Sequence, residues 1–408
     1  MPCSLPTVDP SARHDPPELV CVGASVRGFA ASAVRAGWRV HAADLFGDVD
    51  LLAVAASFAA ASGHRTPYPD SLADLVADLP SAPWCYTGAL ENHPDLVDRI
   101  ATVRPLAGNP GPALRAVRDP ENLGAILRTA GLHAPDTFLV PAGLPRDGSF
   151  LCKPRSSGGG RGIVPWHGTP TTSGDDRIWQ RRIAGNAWAA AFVCDRRATR
   201  LWGVSRQLVG RRWCHAGAFA YCGSIDVDLA EAPPEIVTAC RRLAPLLTGV
   251  FGLVGLVGVD LVVDAARRVH VIEVNPRPTA SMELIERSTG ASMAATHLAA
   301  CGVAAAPRHA AAGALGGTWG KAVLFAAHDT AIDPRVGTSL ATSAARWGDA
   351  DGLPAVADIP RPATFVPAGR PLLTLFAHGG SPVATRRTLR ARATELDGLV
   401  SAGQPARP

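Results

Sequence analysis

The sequence predicts an α/β and α+β multidomain fold, with a Rossmann-like N-terminal domain, a central domain of long strands and helices, and a small β-rich C-terminal domain. Three observations support this prediction. A strand, a glycine turn and a helix follow one another after residue 17, long strand patterns fill the centre, and short strand patterns between proline and glycine turns fill the end. At 408 residues the chain is long enough for two or three domains.

The composition favours a packed globular enzyme and disfavours several other classes. The chain is 47% hydrophobic and 18% charged, and its formal charge of +5 comes from scattered arginines, so we expect no nucleic-acid partner. The nine cysteines include no C-x-x-C pair, which disfavours a zinc site or a disulfide framework. The apolar stretches are too short to span a bilayer and the start lacks a signal-peptide pattern, so we expect a cytoplasmic protein without a membrane partner.

The N-terminal domain is predicted from a βαβ unit. Residues 18–23 form an apolar strand pattern, Gly37 ends an alanine-rich helix that begins near Arg27, and residues 38–43 form the next strand. Parallel strands joined by a helix are typical of an open Rossmann-like sheet. The same pattern continues in further elements, at 70–79, 84–88 and 94–102.

The glycine turn after the first strand allows a second interpretation. Gly23 and Gly28, with Asp44 about twenty residues further on, partly match the fingerprint of NAD-binding domains. Ser25 stands where that fingerprint needs its middle glycine, which lets a pyrophosphate approach the backbone. A tight turn in a domain that does not bind NAD is therefore the favoured interpretation.

A lysine followed by a glycine run suggests a site for a polyphosphate. Lys153 lies near the end of a predicted strand, 150–154, and the run 156–162 follows it directly. Consecutive glycines allow backbone N–H groups to surround phosphate oxygens, and the lysine adds a positive charge. The lysine precedes the glycines, so the pattern is not a Walker A loop. A flexible surface loop is the alternative.

Three oxygen-bearing side chains suggest a magnesium site. Glu273 and Asn275 are two residues apart on a predicted strand, so both point to one face, and Asp260 lies on the preceding strand of the same hairpin. Carboxylate and amide oxygens without histidine or cysteine suit Mg²⁺, or Mn²⁺, bound together with nucleotide phosphates. Arg277, just beyond the strand, could hold a transferred phosphoryl group. The alternative is a purely structural pairing of Glu273 with an arginine.

Further strands are expected between these motifs, and the C-terminal part has a different texture. Strands at 178–183, 189–195 and 201–209 are predicted to share one antiparallel sheet, and residues 103–112 to form a linker. The predicted units are a flexible tail at 1–17, a Rossmann-like domain at 18–110, a central domain at 111–308, and a small β-rich domain with a final helix at 309–408.

Taken together, these motifs resemble the ATP-grasp superfamily, in which a lysine and a glycine-rich loop precede Asp and then Glu-x-Asn-Pro-Arg. The phrases from Val22 to Gly28 and from Asp44 to Asp48 look like a subgroup of predicted ATP-dependent carboligases related to biotin carboxylase. The resemblance implies ATP and Mg²⁺ as cofactors, Lys153 and Arg277 as catalytic residues, and metal ligands at Asp260, Glu273 and Asn275. It also implies nucleotide contacts, at Lys153, Ser157, Gly158, Gly159, Gly160, Gly162, Gln180, Ile183 and Asn186.

The resemblance includes three departures. Gln180 stands where the family often has glutamate, and Ala187 stands where many members have an acid for the ribose, with Asn186 as a substitute. The earlier basic residue that helps to hold the phosphates is not a lysine here, and Arg115 and Arg118 are the candidates.

The implied activity is that of an ATP-dependent carboxylate–amine ligase, acting through an acyl phosphate in cofactor or C1-related metabolism. The alternatives are a carboxylase-like or phosphotransfer enzyme of the same superfamily and a non-catalytic nucleotide-binding module. The expected partners are small carboxylates and amines, and a homodimer is compatible with similar proteins. In this interpretation Arg206 holds the carboxylate and Glu283 attracts the amine. The candidate substrate contacts are Arg206, Tyr221, Ser224, Ser281 and Glu283.

Overall fold

The computed structural model describes residues 15–61, 64–168, 176–303, 317–348 and 353–402. Most of the predicted tail, 1–17, and the predicted boundary at 308–309 lie outside these residues.

The N-terminal part is an open parallel sheet with the strand order β3-β2-β1-β4. Its strands are buried on both faces, as the continuous apolar patterns predicted, and the βαβ unit is confirmed. The turn after β1 is tight, because a Cβ added at Gly23 would lie 2.2 Å from the hydroxyl of Thr87. The elements are β1 (Glu18–Val22), α1 (Arg27–Arg35), β2 (Arg39–Asp44), α2 (Val49–Leu52), β3 (Ser57–Ala60), α3 (Ser71–Ala77), β4 (Trp84–Tyr86) and α4 (Pro94–Ala101).

The structure disfavours the NAD interpretation. Asp44 is fully buried, and its carboxylate accepts hydrogen bonds from the backbone N–H groups of Val26, Phe46 and Gly47. The carboxylate that would bind a ribose therefore holds the local backbone instead.

Two helices, α5 (Gly111–Arg118) and α6 (Pro120–Thr129), lead into the central region. The sequence predicted α6 but assigned the start of α5 to a linker, because Gly111 and Pro112 look like loop residues. Proline is well placed in the first turn of a helix, where its missing N–H costs nothing. Asp119 caps α6 by accepting hydrogen bonds from Glu121 N and Asn122 N.

A small antiparallel sheet with the order β5-β8-β6-β7 carries the glycine run between two of its strands. The prediction that residues 178–183 share a sheet with 189–195 is wrong, because β8 pairs with β6, where Ile178 lies opposite Lys153. The chain leaves this sheet at residue 181 and enters the next one at Gly185. The strands are β5 (Thr137–Phe138), β6 (Phe150–Pro154), β7 (Val164–Pro165) and β8 (Arg177–Arg181).

An eight-stranded antiparallel sheet forms the centre of the molecule, in the order β13-β12-β9-β10-β11-β14-β18-β16. The predicted hairpin around residues 264–267 is its β12–β13 pair. The strands are β9 (Gly185–Cys194), β10 (Thr199–Val209), β11 (Tyr221–Val227), β12 (Gly255–Asp264), β13 (Val269–Asn275), β14 (Thr318–Phe325), β16 (Val356–Ala357) and β18 (Pro371–Gly379).

The C-terminal strands continue this central sheet, since β14 pairs with β11. A further pair, β15 (Thr330–Ala331) with β17 (Phe365–Val366), stands apart from it. Within the described residues no helix is both long and apolar enough for a membrane span. The remaining helices are α7 (Pro234–Gly249), α8 (Met282–Thr289), α9 (Met293–Ala300), α10 (Pro334–Arg346), which the sequence did not predict, and α11 (Pro382–Ala402).

Candidate active site

Two cavities meet at the glycine run. The first cavity, of about 410 Å³, lies between α5, α6, the small sheet and β13. The second cavity, of about 670 Å³, lies between the N-terminal domain, the start of α8 and strands β14 and β18. Residues 158–160 line both cavities, so a ligand in either one would contact the same loop.

Lys153 is placed in the first cavity by the end of β6. Its ammonium donates a hydrogen bond of 2.9 Å to Oε1 of Gln180 on β8, and Gln180 in turn donates to the hydroxyl of Thr137 at 3.2 Å. Burial lowers the pKa of Lys153, although the carboxylates of Glu273 and Asp260 oppose that effect. The structure therefore fixes a cation at the cavity wall, next to the glycine loop.

The glycine loop folds against the connection between β10 and β11. Gly159 O accepts a hydrogen bond of 3.0 Å from Tyr221 N, and a Cβ added at Gly160 would lie 1.9 Å from Phe219 O. Gly160 also has a φ of 78°, which disfavours other residues. Ser157, whose hydroxyl donates to Arg161 O at 3.1 Å, lines the first cavity, whereas Gly162 lines the second.

Two carboxylates face each other on β12 and β13, behind the first cavity. Asp260 lies directly opposite Glu273 in the strand register, and Glu273 lines the cavity. Asp260 accepts hydrogen bonds from the side-chain amides of Gln207, at 2.8 Å, and Asn275, at 3.3 Å. The three predicted metal ligands are thus adjacent, as the hairpin register requires.

The electrostatic environments of the two carboxylates differ. Burial and the neighbouring Glu273 charge raise the pKa of Asp260 to about 6. Burial also opposes ionisation of Glu273, but Arg118 and Lys153 hold its pKa below the usual range. Within the described residues, Asp260 has amide partners and no cationic one, so a divalent cation would complete this pair.

The donor set fits Mg²⁺ better than a softer metal. Across the described ranges there is no cluster of three His, Cys, Asp or Glu side chains able to hold a metal. Mg²⁺ is commonly bound by one or two carboxylates together with substrate phosphates, and does not need a full protein cage. Asp260, Glu273 and the amide of Asn275 match that requirement.

Two arginines frame the carboxylates. Arg118, at the end of α5, pairs with Glu273 and donates to Asn92 at 2.8 Å, and Arg277 pairs with the buried Glu91 at 2.6 Å. Arg115 instead forms exposed ion pairs with Asp95 and Asp98 outside the central hairpin. Both candidates for the earlier basic residue line the first cavity, but Arg118 is the one that pairs with a carboxylate of the hairpin.

Sequence reasoning missed Glu91, Asn92, Gln207 and Thr137. Glu91 and Asn92 belong to a short helical turn before α4, where Glu91 lies far along the chain from its partner Arg277 and Asn92 lies 26 residues from its partner Arg118. Nothing in their local sequence pattern marks them as site residues.

Three predicted contacts lie away from the cavities. Asn186 is exposed and accepts a hydrogen bond of 3.0 Å from Arg206, and neither residue lines either cavity. Ile183 lies between the two sheets and also lies outside both linings. Of the predicted nucleotide contacts Gln180, Ile183 and Asn186, Gln180 therefore lines the first cavity and the other two do not.

The other substrate candidates lie at or beside the second cavity. Tyr221 lines it and its hydroxyl lies 3.1 Å from that of Ser224, while the hydroxyl of Ser281 lies 3.4 Å from that of Thr279. Glu283 lines the cavity but is paired with both Arg27, at 2.6 Å, and Lys321. Its charge is already balanced, so it is poorly suited to attract an amine.

A protein-family model describes the central part of this arrangement. Residues 122–281 match the model of the ATP-grasp domain, which includes Lys153, the glycine loop and the β12–β13 hairpin. The chain thus contains an ATP-grasp domain at these residues. No curated protein sequence matches the chain.

Solved structures resemble almost the whole chain at low identity. An N5-carboxyaminoimidazole ribonucleotide synthetase in complex with ADP is 14% identical with a TM-score of 0.67, covering 94% of this chain and 98% of its own. An L-amino acid ligase from Bacillus licheniformis is 15% identical with a TM-score of 0.64, covering 94% and 98%. A biotin carboxylase from Campylobacter jejuni is 14% identical with a TM-score of 0.66, covering 94% of both chains. At these identities the likeness concerns the fold.

Proposed function

We propose that this protein is an ATP-dependent carboxylate–amine ligase that uses Mg²⁺. The observation that carries the proposal is the convergence, at one cavity, of Lys153, the glycine loop and Glu273, with Asp260 opposite Glu273 on the neighbouring strand. The ATP-grasp neighbours include an amino acid ligase and two carboxylating enzyme types, which supports an ATP-dependent ligase as the coarser class.

In this proposal the first cavity binds the triphosphate. Lys153 and backbone N–H groups of residues 158–160 contact the phosphates, and Gln180 faces the base. Bound Mg²⁺, held by Asp260, Glu273 and Asn275, would neutralise phosphate charge during transfer. A metal bound to Glu273 would weaken the ion pair between Glu273 and Arg118. Arg118 could then bind a phosphate oxygen.

The reaction proceeds in two displacements. A carboxylate oxygen of the first substrate attacks the γ-phosphorus, the bond to ADP breaks, and an acyl phosphate forms. The amine nitrogen of the second substrate then attacks the acyl carbon, inorganic phosphate leaves, and the nitrogen loses a proton. Arg277 and Lys153 stabilise the charge on the transferred group, so the protein mainly positions the reactants and screens their charge.

The test is ADP release with a panel of carboxylic acids and amines, singly and in pairs. We expect release that depends on both substrates and an amide product detected by mass spectrometry. Release with bicarbonate alone would instead identify a carboxylase-like enzyme. Tight MgATP binding without release under any pairing would contradict the ligase proposal and favour a binding module.

Replacing Lys153 tests the proposed location of the triphosphate. Lys153→Ala removes the cation from the wall of the first cavity, so we expect MgATP affinity to fall by about tenfold or more. Calorimetric titration measures this, and Arg99→Ala is a control, since Arg99 is exposed and lies outside both cavities. Equal affinity of wild type and Lys153→Ala would contradict the assignment.

We also propose the domain limits that the sequence predicts, at residues 110–111 and 308–309. In this arrangement the first cavity belongs to the 111–308 unit together with residues 91–94, and the second cavity joins all three units. Limited proteolysis of the chain tests these limits.

A further inference from the structure

The second cavity contains one acidic side chain that the rest of the fold does not balance. Asp48, just before α2, lines this cavity and is only 7% exposed. Within the described residues its carboxylate has neither a hydrogen-bond donor nor an ion-pair partner. A buried carboxylate in this condition is costly unless a ligand supplies the missing partner.

The neighbouring acids all have partners. Asp50 accepts hydrogen bonds of 3.0 Å from the backbone N–H groups of Asp358 and Ile359. Asp358 pairs with Arg27, which donates to it at 2.8 and 3.2 Å. Asp44 is held by three backbone N–H groups, as described above. Asp48 is therefore the one acid of this group, among the described residues, whose charge is left for something else.

Two cations that line the second cavity are already paired with other acids. Arg27 is shared by Asp358 and Glu283, and Lys321 is paired with Glu283. Burial, together with the charges of Asp358, Asp50 and Asp44, raises the pKa of Asp48 to about 8. An ammonium group in contact would lower that pKa again, because it favours the charged carboxylate.

The other residues that line the second cavity indicate the chemical character of the rest of the ligand. Most of the exposed lining is apolar, and it includes the side chains of Phe29, Phe46, Val323 and Phe325. Arg161 and Arg370 line the same cavity and have no described side-chain partner, so an anionic group could also be accommodated. Among the lining acids Asp48, Glu283 and Asp358, Asp48 is the one whose carboxyl group has no described hydrogen-bond or ion-pair partner, and an ammonium group in contact would favour its ionised form.

We propose that the second cavity binds the amine substrate, a primary amine with an apolar body, and that Asp48 contacts its ammonium group. This inference rests on the proposed ligase function and specifies its second substrate. The glycine loop, which lines both cavities, would then lie between the triphosphate and the amine.

The test is calorimetric binding of primary alkylamines and arylalkylamines to the full-length protein, each compared with the alcohol of equal size, at one fixed pH. We expect at least one amine to bind wild type about tenfold or more tightly than its alcohol. Asp48→Asn should remove that preference and leave the alcohol affinity unchanged. The fold should tolerate Asp48→Asn, because asparagine is also a good residue before a helix. Glu231→Gln, an exposed charge change outside both cavities, is the matched control and should keep the preference.

Two outcomes would overturn the inference. If wild type binds no amine better than its alcohol, the ligand class is wrong, and this arm does not depend on any variant folding. If Asp48→Asn keeps the full preference, the amine binds elsewhere. MgATP affinity measured on the same samples separates the two proposals. If wild type does not bind MgATP, the ligase function is refuted. If wild type binds MgATP but shows no preference for amines, the Asp48 site alone is refuted.

Discussion

At the residue scale, the central feature is a pair of facing carboxylates with unequal partners. Glu273 has Arg118 and the charge of Lys153, whereas Asp260 has only amide donors among the described residues. The register of one hairpin places them together, so their spacing follows from the backbone. A site built this way needs few residues and loses its function when either carboxylate is neutralised.

Glu273→Gln should reduce ADP release by about 100-fold or more, because it removes a proposed metal ligand. The variant should remain folded but lose about 1 kcal/mol of stability, since Arg118 loses a carboxylate partner that is itself 34% exposed. Steady-state ADP release and thermal denaturation measure the two effects. Glu235→Gln serves as a control, because Glu235 pairs with the exposed Arg267 in the hairpin turn and neither residue lines a cavity. A fully active Glu273→Gln variant would exclude the metal role.

His297 provides a pH-dependent prediction outside the site. The side chain of His297 is buried. Its Nδ1 accepts a hydrogen bond of 2.9 Å from Leu256 N, and its Nε2 lies 3.1 Å from Ala107 O. A neutral ring with its proton on Nε2 satisfies both partners. Burial lowers its pKa to about 4. Below about pH 6.5 the unfolded chain takes up a proton that the folded protein does not. Stability should therefore fall by about 3 kcal/mol between pH 6.5 and 4.

Urea denaturation across this pH range measures the effect. His297→Gln should flatten this part of the profile, while His328→Gln, at an exposed histidine, should leave it unchanged. If the profiles of wild type and His297→Gln have equal slopes below pH 6.5, another group is responsible.

At the element scale, the glycine loop and the strands beside it determine both cavities. The loop could be predicted because lysine and glycine are adjacent in the sequence, and the β12–β13 hairpin because its apolar alternation is regular. The division of β8 and β9 between two sheets could not be predicted, since the residue pattern of a strand does not show which strand it pairs with. Helix α5 was missed because Gly111 and Pro112 are typical of loops, although proline is also favoured in the first turn of a helix.

The same limit applies to the candidate site. Side-chain alternation predicted that Asp260, Glu273 and Asn275 lie together, as they do in the hairpin, whereas Glu91 and Asp48 belong to turns whose positions depend on tertiary packing. Arg206 was placed wrongly at the substrate site, because a strand pattern does not show which face of the central sheet meets a cavity.

Two glycines of the loop offer a matched comparison. Gly160→Ala would place a Cβ 1.9 Å from Phe219 O at a φ of 78°, whereas Gly158→Ala meets nothing within 4 Å. We expect Gly160→Ala to weaken MgATP binding about tenfold or more by forcing the loop away from the β10–β11 connection. Gly158→Ala should change the affinity about threefold at most. Titration calorimetry on both variants measures this, and equal effects would mean that the loop contact does not matter for binding.

At the scale of the whole molecule, one buried arginine connects the three parts of the chain. Arg27 lies at the start of α1 in the N-terminal domain, Glu283 lies on α8, and Asp358 follows β16 near the C-terminus. Opposing charges that are paired inside a protein are costly to separate. This ion-pair group therefore favours a single cooperative unit over three independent domains.

Arg27→Met should destabilise the protein by about 3–5 kcal/mol, because Asp358 and part of the Glu283 charge would be buried without their cation. Chemical denaturation monitored by tryptophan fluorescence and by circular dichroism should show one shared transition for wild type. Arg39→Met is the control, since Arg39 is exposed and lies 3.8 Å from Glu18, and it should cost under about 1 kcal/mol. A loss this small for Arg27→Met would show that the three parts are held by apolar packing alone.

The shared wall formed by residues 158–160 has a thermodynamic consequence. A ligand in one cavity that favours one arrangement of residues 158–160 changes the binding free energy of a ligand in the other cavity. Linkage requires the influence to be mutual, so the factor by which nucleotide alters acceptor affinity must equal the factor by which acceptor alters nucleotide affinity. The two binding events are thus expected to be energetically coupled through three residues that have no side chains.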